Sequence, residues 1–218
     1  MTEHRPPRRT QGERSEETQL KILQAALECL DTRGFSETST LRIQKRAGVS
    51  RGRLLHQFPS KEVLLVGAVQ HLAVERMEEL RRQTLDATVT GTARVRGSIE
   101  LVWATYDGPL FWAAMELWLA SRTSSSLRAA LLPEERRLGA VIREVFDELF
   151  GEELCRQPGY VGLRETIITS MRGVALTYAF DQRDMATDSH VDVWYQMAID
   201  RLGLKPDPER NPVTLDAS

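Results

Sequence analysis

The sequence has few of the features that identify secreted or membrane proteins. It contains two cysteines, Cys29 and Cys155, which are too few for a disulfide framework, and we expect both to be free thiols. No apolar run approaches the length of about 18 residues that a transmembrane helix needs. The first residues lack the apolar stretch of a secretory signal peptide, so we expect a cytoplasmic protein without a membrane partner.

Catalytic motifs are also missing from the sequence. There is no glycine-rich phosphate loop and no His-Glu-x-x-His motif. His71, Glu75 and Glu79 have the spacing of one helix face, but a di-metal bundle needs Glu-x-x-His motifs on two helices. We therefore expect neither an enzyme nor a bound metal or cofactor.

Charge is distributed unevenly along the chain. Residues 1–61 contain twelve Lys/Arg and seven Asp/Glu, whereas the remainder contains seventeen and twenty-four, which gives the net charge of −2. A basic N-terminal segment followed by an acidic remainder suggests that the N-terminal segment binds a polyanion, although chance clustering of charges would give the same counts.

Apolar residues recur at helical spacing over most of the sequence, and no stretch alternates as a strand would. We predict an all-α fold. A disordered basic arm at 1–16 precedes a three-helix DNA-binding domain with a helix-turn-helix at 17–62. A helical ligand-binding and dimerisation domain at 63–205 and a disordered tail at 206–218 follow. Gly and Pro residues, Pro133 among them, are predicted to end helices.

The helix-turn-helix is predicted between residues 40 and 58. A short helix ends at Gly48, and Ser50 can cap a second helix that begins Arg51-Gly52-Arg53. The second helix of such a motif enters the major groove with its N-terminal residues at the base edges. Arginine is the commonest bidentate partner of guanine, and a glycine allows close approach of the backbone.

Polar groups around this motif are candidates for phosphate contacts. We predict that Thr38 and Thr40 act at one helix N-terminus, that Ser60 and Lys61 act at another, and that His56 reaches a phosphate or a base edge. The arginines of the arm, Arg5, Arg8, Arg9 and Arg14, would enter the minor groove or serve only solubility.

The stretch KILQAALECLDTRGFSETSTLRIQKRAGVSRGRLLHQFPSKEVLL resembles the N-terminal domain of the TetR family of bacterial repressors. The similar pieces are the Ala-rich first helix, the Arg-Gly-Phe turn at 33–35, the Arg-Ala-Gly-Val-Ser turn at 46–50 and the Phe-Pro-Ser-Lys-Glu junction at 58–62. The resemblance implies a homodimer that binds double-stranded operator DNA and is released by a small-molecule effector.

Two residues depart from the family pattern. Leu55 stands where the family usually has a Tyr or Phe that contacts a phosphate, so the resemblance leaves that contact in doubt. Gln44 replaces a small alanine, and it either alters the packing of the two helices or points outward to DNA.

An aromatic cluster in the second domain is a candidate pocket for a small hydrophobic or aromatic effector. Residues 103–118 read WATYDGPLFWAAMELW, and pockets for small molecules are typically lined by aromatic and apolar groups. Asp107 or Glu116, if it faced the cavity, would favour a cationic ligand. The predicted ligand-binding residues are Trp103, Tyr106, Phe111, Trp112, Met115, Trp118, Met171 and Tyr178.

The last two long helices carry more apolar surface than one core can cover. A helix that is apolar on two faces must bury both, and a four-helix bundle between two subunits would do so. The predicted dimerisation residues are Ile167, Ile168, Val174, Ala175, Val191, Trp194, Tyr195 and Ala198. The sequence thus predicts a ligand-responsive regulator that acts as a repressor, as the family resemblance implies; the alternatives are an activator and a DNA binder without an effector.

Overall fold

The computed structural model describes residues 11–83, 88–181 and 183–205. In these ranges the regular structure is helical and contains no strand, as predicted. The predicted tail at 206–218 and the arm residues 1–10 lie outside the described ranges, and so do the side chains of Gln11, Glu13 and Arg14. The helices are α1 (Gln11–Glu37), α2 (Thr40–Ala47), α3 (Arg51–Gln57), α4 (Lys61–Arg82), α5 (Gly91–Trp103), α6 (Pro109–Ser121), α7 (Ser125–Phe150), α8 (Glu152–Cys155), α9 (Tyr160–Thr177) and α10 (His190–Arg201).

The first helix differs from the prediction at both ends. α1 begins at Gln11, so part of the segment expected to be a disordered arm is helical. At Gly34 the backbone leaves helical geometry with φ of 69°, a left-handed value that favours glycine. This kink produces the predicted turn, and a second helical stretch follows it to Glu37.

Pro133 does not end a helix, and that prediction was wrong. α7 runs without interruption from Ser125 to Phe150 with Pro133 inside it. A proline in a helix interior costs about 3 kcal/mol because it removes a hydrogen bond and crowds a carbonyl. Leu131 and Leu138 on either side are buried, and this packing outweighs the cost.

Two compact units make up the described chain, and the predicted functional domains with a boundary at 62/63 stay a prediction. The first unit contains the residues up to Ala73 together with Trp112–Glu135. Its core includes Ile22, Leu30, Ile43, Leu54 and Leu64, all at most 1% exposed. The second unit contains Val74–Phe111 and the residues from Arg136 onward.

The second unit is built around large aromatic side chains. Phe146 and Phe150 stack with their ring centroids 4.7 Å apart, and Trp194 is 1% exposed. Arg164 is nearly buried and binds the Asp147 carboxylate with N–O distances of 2.8 Å. Burial by itself would lower the pKa of Arg164, but its bonds to Asp147 keep the net pKa above the usual value.

Candidate nucleic-acid interface and ligand cavity

The helix-turn-helix forms from local capping, as the sequence predicted. Ser39 caps α2 by accepting a hydrogen bond from the amide of Arg42, and Ser50 caps α3 through the amide of Arg53. Gly48 ends α2 with φ of 65°, and its own amide bonds back to the helix. These contacts satisfy amides that a helix start leaves without partners, and they fix the angle between the two helices.

One side of α3 is buried and the other is open to solvent. Leu54 and Phe58 are in the core, whereas Arg51, Gly52, Arg53 and His56 are exposed. A Cβ atom built on Gly52 would meet no atom within 4 Å. The residues predicted to read bases therefore lie together on the surface at the first turn of a short helix and on the turn that follows.

Apolar groups border the same surface. Leu55 is 38% exposed, and Leu41 in the first turn of α2 is 54% exposed. Leu41 was not among the predicted site residues, because an apolar residue in an amphipathic pattern is usually assigned to the core. Exposed apolar side chains at this position are suited to contact with thymine methyl groups.

Thr38 does not contribute to this surface, so its predicted phosphate contact was wrong. Its side chain is 1% exposed, and its hydroxyl donates to the carbonyl oxygens of Cys29 and Gly34 at 2.9 and 2.7 Å. The hydroxyl ties the end of α1 to the start of α2. Thr40 and Gln44 are half-buried, and their predicted roles stay predictions.

Lys61 and Glu116 hold the turn at residues 33–35. The ammonium of Lys61 donates to the carbonyl of Phe35 and lies 4.0 Å from the centroid of its ring. The amide of Phe35 donates to the Glu116 carboxylate at 3.2 Å, and Gly34 leaves room for that carboxylate. Burial lowers the pKa of Lys61. An ammonium has three protons, so its predicted phosphate contact stays a prediction, but Lys61 also has a structural role.

The structure brings four of the predicted ligand-binding aromatics together in the second unit. Trp103 lies 5.9 Å from Tyr106 and 6.0 Å from Tyr178, and Tyr106 lies 5.6 Å from Phe111, measured between ring centroids. Trp194 joins them at 4.9 Å from Trp103. Trp112, Met115 and Trp118 belong to the first unit, and their predicted roles in ligand binding stay predictions.

Most of this cluster is protein core. Met171 is fully buried, and the Tyr106 hydroxyl donates to the carbonyl of Ile168 at 3.1 Å. Burial raises the pKa of Tyr106 to about 12. The Trp194 indole donates to the Ser170 hydroxyl at 2.9 Å. The polar groups of Tyr106 and Trp194 are thus committed to intramolecular bonds, and Met171 packs in the core.

A cavity of about 710 Å³ opens beside the cluster, and its walls are more polar than predicted. Among the predicted ligand-binding residues only Trp103 and Tyr178 line it. Asp107 lines it too, whereas Glu116 is engaged with Phe35. No sequence signal indicated the other polar walls, because they come from α5, from the connection between α9 and α10 and from the first turn of α10. They are Arg96, Glu100, Arg183, Asp184, Thr187, Asp188 and Asp192.

Asp188 is the most deeply placed acid in this wall, with a side chain 1% exposed. It accepts hydrogen bonds from the Tyr178 hydroxyl, from the amide of His190 at 2.8 Å and from the His190 ring. Burial alone would raise the pKa of Asp188, but these hydrogen bonds outweigh burial, and the pKa lies below its usual value. The carboxylate therefore stays charged at neutral pH.

The predicted dimer surface needs correction. Six of its eight residues are at most 7% exposed within a single chain, so they form the core of the protomer and cannot face a partner: Ile167, Ile168, Ala175, Val191, Trp194 and Ala198. Val174 and Tyr195 are half-buried. The apolar side chains that α9, α10 and the residues after α9 leave exposed are Val161, Leu176, Phe180 and Val193.

The described residues show neither a metal site nor a membrane span. They contain no group of three or more His, Cys, Asp or Glu side chains that could hold a metal ion. No helix among them is long and apolar enough to cross a bilayer. Both cysteines are free thiols there, as expected, and Cys29 is buried.

The known proteins that this chain resembles are bacterial transcriptional regulators. The model of the family described as "Bacterial regulatory proteins, tetR family" matches residues 22–68. The HTH-type transcriptional regulator BetI of Ectopseudomonas mendocina is 31% identical over 157 residues, which cover 71% of this chain and 74% of the relative. CymR of Pseudomonas putida, another HTH-type transcriptional regulator, is 41% identical over 76 residues, 35% of this chain and 37% of the relative.

Solved structures share the fold. NalD of Pseudomonas aeruginosa, the secondary repressor of the MexAB-OprM multidrug efflux pump, superimposes with a TM-score of 0.60 at 21% identity. The match covers 89% of this chain and 99% of that structure. The relatives are transcriptional regulators and not enzymes.

Proposed function

Because this chain belongs to the TetR family of bacterial regulatory proteins, we propose that it represses transcription by binding a pseudo-palindromic operator as a homodimer, and that a small-molecule effector releases it. The observation that carries the proposal is the exposed first turn of α3. Arg51, Gly52 and Arg53 are open to solvent there, whereas Leu54 and Phe58 are buried in the core.

The chemistry of α3 suits direct readout of the major groove. A guanidinium can donate two parallel hydrogen bonds to O6 and N7 of guanine, and this pairing discriminates by about 1–3 kcal/mol against other bases. Arg51 and Arg53 stand on either side of Gly52, so the backbone between them can approach the base pairs. The start of α2 at Thr40 and Lys61 at the start of α4 would hold the adjacent phosphates.

Dimerisation would position two such helices. Recognition helices of a two-fold dimer reach successive major grooves about 34–36 Å apart. The exposed apolar side chains of Val161, Leu176 and Val193 on α9 and α10, with Phe180 at 83% exposure, are the surface that a second copy would cover. Two helices from each subunit would then form a four-helix bundle.

Effector release would follow from a shift between two conformers of the dimer. A ligand moves such an equilibrium only by its difference in affinity for the two states. The cavity beside Trp103 and Tyr178 has a volume within the range of small-molecule sites, about 300–1,000 Å³, and we assign the effector to it. NalD, which has the same fold, is a repressor, and this supports repression as the outcome of DNA binding.

The test is selection of bound sequences from a random double-stranded DNA pool near physiological salt. We expect a pseudo-palindrome, and we expect Arg51→Ala and Arg53→Ala each to cost about 1–3 kcal/mol and to relax base preference. Arg122→Ala removes an exposed arginine after α6 and is the control, with affinity unchanged.

Unchanged affinity and base preference in both α3 variants would contradict the assignment of the recognition helix. Placing the selected sequence upstream of a reporter gene then separates repression from activation. A dimer that binds the sequence and raises reporter expression would overturn the repressor assignment while leaving the DNA-binding assignment intact.

A further inference from the structure

The cavity beside Trp103 and Tyr178 has an excess of negative charge. Five carboxylate side chains line it, those of Glu100, Asp107, Asp184, Asp188 and Asp192, against two guanidinium groups. Its formal charge is therefore −3. A concave site with low-dielectric walls concentrates the field of such a charge and attracts ligands of the opposite sign.

Arg96, one of the two guanidinium groups, is already neutralised within the wall. It donates to Glu100 at 2.6 Å and to the carboxylate of Asp192. Its guanidinium carbon lies 5.6 Å from the centroid of the Tyr195 ring. An anionic ligand would have to separate Arg96 from two carboxylates, so this arginine does not make the cavity a site for anions.

Arg183, the second guanidinium group, indicates how the wall binds a cation. Its guanidinium carbon lies 4.6 Å from the centroid of the Tyr178 ring, and its Nη1 lies 3.5 Å from Oδ2 of Asp188. An aromatic face beside a buried carboxylate is the arrangement that binds organic cations by cation–π attraction and charge. The Arg183 side chain is 34% exposed, and it also pairs with Asp181 at 3.3 Å and donates to the Thr177 hydroxyl at 2.6 Å, so these partners can hold the guanidinium when a ligand takes its place at Asp188.

Asp107 supplies an uncommitted acceptor on the same wall. It is exposed, and it makes no hydrogen bond or ion pair with the described residues, whereas Asp184 caps the amide of Ala186 at 2.9 Å. The cavity thus combines one buried carboxylate, one available carboxylate, an indole and a phenol ring around a volume larger than a small organic ion needs.

We propose that this cavity binds an organic cation against Tyr178, Asp188 and Asp107, and that the Arg183 guanidinium competes intramolecularly for the same place. The assignment of the bound cation as the effector rests on the proposed function. The binding chemistry itself does not, because it follows from the charges and rings of the second unit alone.

The experiment uses three probes of similar shape and different charge. They are benzyltrimethylammonium, the net-neutral N,N-dimethylbenzylamine N-oxide and the anion benzylsulfonate, each titrated calorimetrically into the full chain without DNA. We expect the cation to bind about tenfold or more tighter than the neutral probe and benzylsulfonate not to bind, since one unit charge at a partly buried site contributes on the order of a factor of ten or more.

Two variants locate the site, and a third is the control. Asp107→Asn should weaken cation binding about fivefold by removing an available charge, and Arg183→Gln should tighten it about threefold or more by removing the competitor. Asp200→Asn changes a carboxylate on α10 that bonds Gln196 and does not line the cavity, so binding should be unchanged. A purely structural role for Arg183 predicts the opposite sign for its variant.

Equal binding of the cation and the neutral probe, binding of benzylsulfonate, or no binding of any probe would each overturn the inference. A second titration adds the selected operator DNA with a fluorescent label and measures its release. If benzyltrimethylammonium binds the cavity while DNA stays bound, the cavity chemistry stands and the effector role fails. If DNA binding itself is absent, the proposed function fails independently of the cavity.

Discussion

Replacing Gly52 with alanine separates the stability of the helix-turn-helix from its contact with DNA. Gly52 is the second residue of α3, and it is not among the glycines with left-handed backbone. A Cβ placed there meets no atom within 4 Å. In the unbound protein the substitution therefore causes no clash and no backbone strain.

The expected gain in stability follows from helix propensity. Glycine in a helix is less favourable than alanine by roughly 0.5–1 kcal/mol, and the value is smaller in the first turn. For a chain of this size, 1 kcal/mol corresponds to a shift in Tm of about 2–4 °C. We therefore expect Gly52→Ala to raise Tm slightly, by about 1–3 °C, in thermal unfolding followed by circular dichroism.

Operator affinity should change in the opposite direction. If the backbone at residue 52 approaches the base pairs, the added methyl group overpacks that interface, which typically costs about 1–3 kcal/mol. This loss corresponds to roughly a 5- to 150-fold weaker Kd, measurable by fluorescence anisotropy with the selected operator. A stabilised protein that binds DNA less well cannot be explained by partial unfolding.

Gly162→Ala is the matched control. Gly162 is the third residue of α9, is exposed and has no atom within 4 Å of a built Cβ. It should give a similar gain in Tm with operator affinity unchanged, provided that sedimentation shows the same dimer. An operator affinity of Gly52→Ala within twofold of the parent would refute close approach of α3. An equal loss in Gly162→Ala would show that the effect is not local.

Three further predictions concern Lys61, Asp188 and the two cysteines. Lys61→Met removes the hydrogen bond to Phe35 and should lower the free energy of unfolding in urea by about 1 kcal/mol. It should also weaken the affinity for operator DNA and for unrelated DNA by the same factor. A loss of affinity confined to the operator would contradict a phosphate role. Because the pKa of Asp188 is lowered in the fold, its charge stabilises the protein at neutral pH, and this stabilisation is lost on acidification below about pH 4. The free energy of unfolding should therefore fall less between pH 7 and pH 3 in Asp188→Asn than in the parent. Parallel curves of unfolding free energy against pH for the two proteins would exclude this role. Burial raises the pKa of Cys29 and of Cys155, so both thiols should react with a disulfide reagent at least about tenfold more slowly in the native protein than in urea. Rapid labelling of Cys29 in the native protein would contradict its burial.

The parts of the molecule that local chemistry controls were predictable from the sequence. Ser50 caps α3 and Gly48 ends α2 because capping and left-handed turns depend on the residue itself and its nearest neighbours. The exposed Arg51 and Arg53 and the buried Leu54 follow from the same helical period. Residues distant in sequence contribute little to these features.

Thr38 and Pro133 show where local rules fail. A threonine before a helix usually caps it, but Thr38 is enclosed and its hydroxyl serves carbonyl groups of α1. A proline usually ends a helix, but burial on both sides of Pro133 outweighs that cost. In both cases the tertiary environment supplies more free energy than the local preference.

By itself the sequence determined the helical architecture, the helix-turn-helix and the identity of the residues on α3. The tertiary structure decided which apolar stripe of α9 and α10 fills the core, since Ile167 and Leu176 have the same chemistry and differ only in what packs against them. It also decided that Asp107, Tyr178 and Asp188 share one cavity. Periodicity reports the spacing of side chains along one helix, whereas a binding site depends on which helices meet, and that is set by packing across the whole unit.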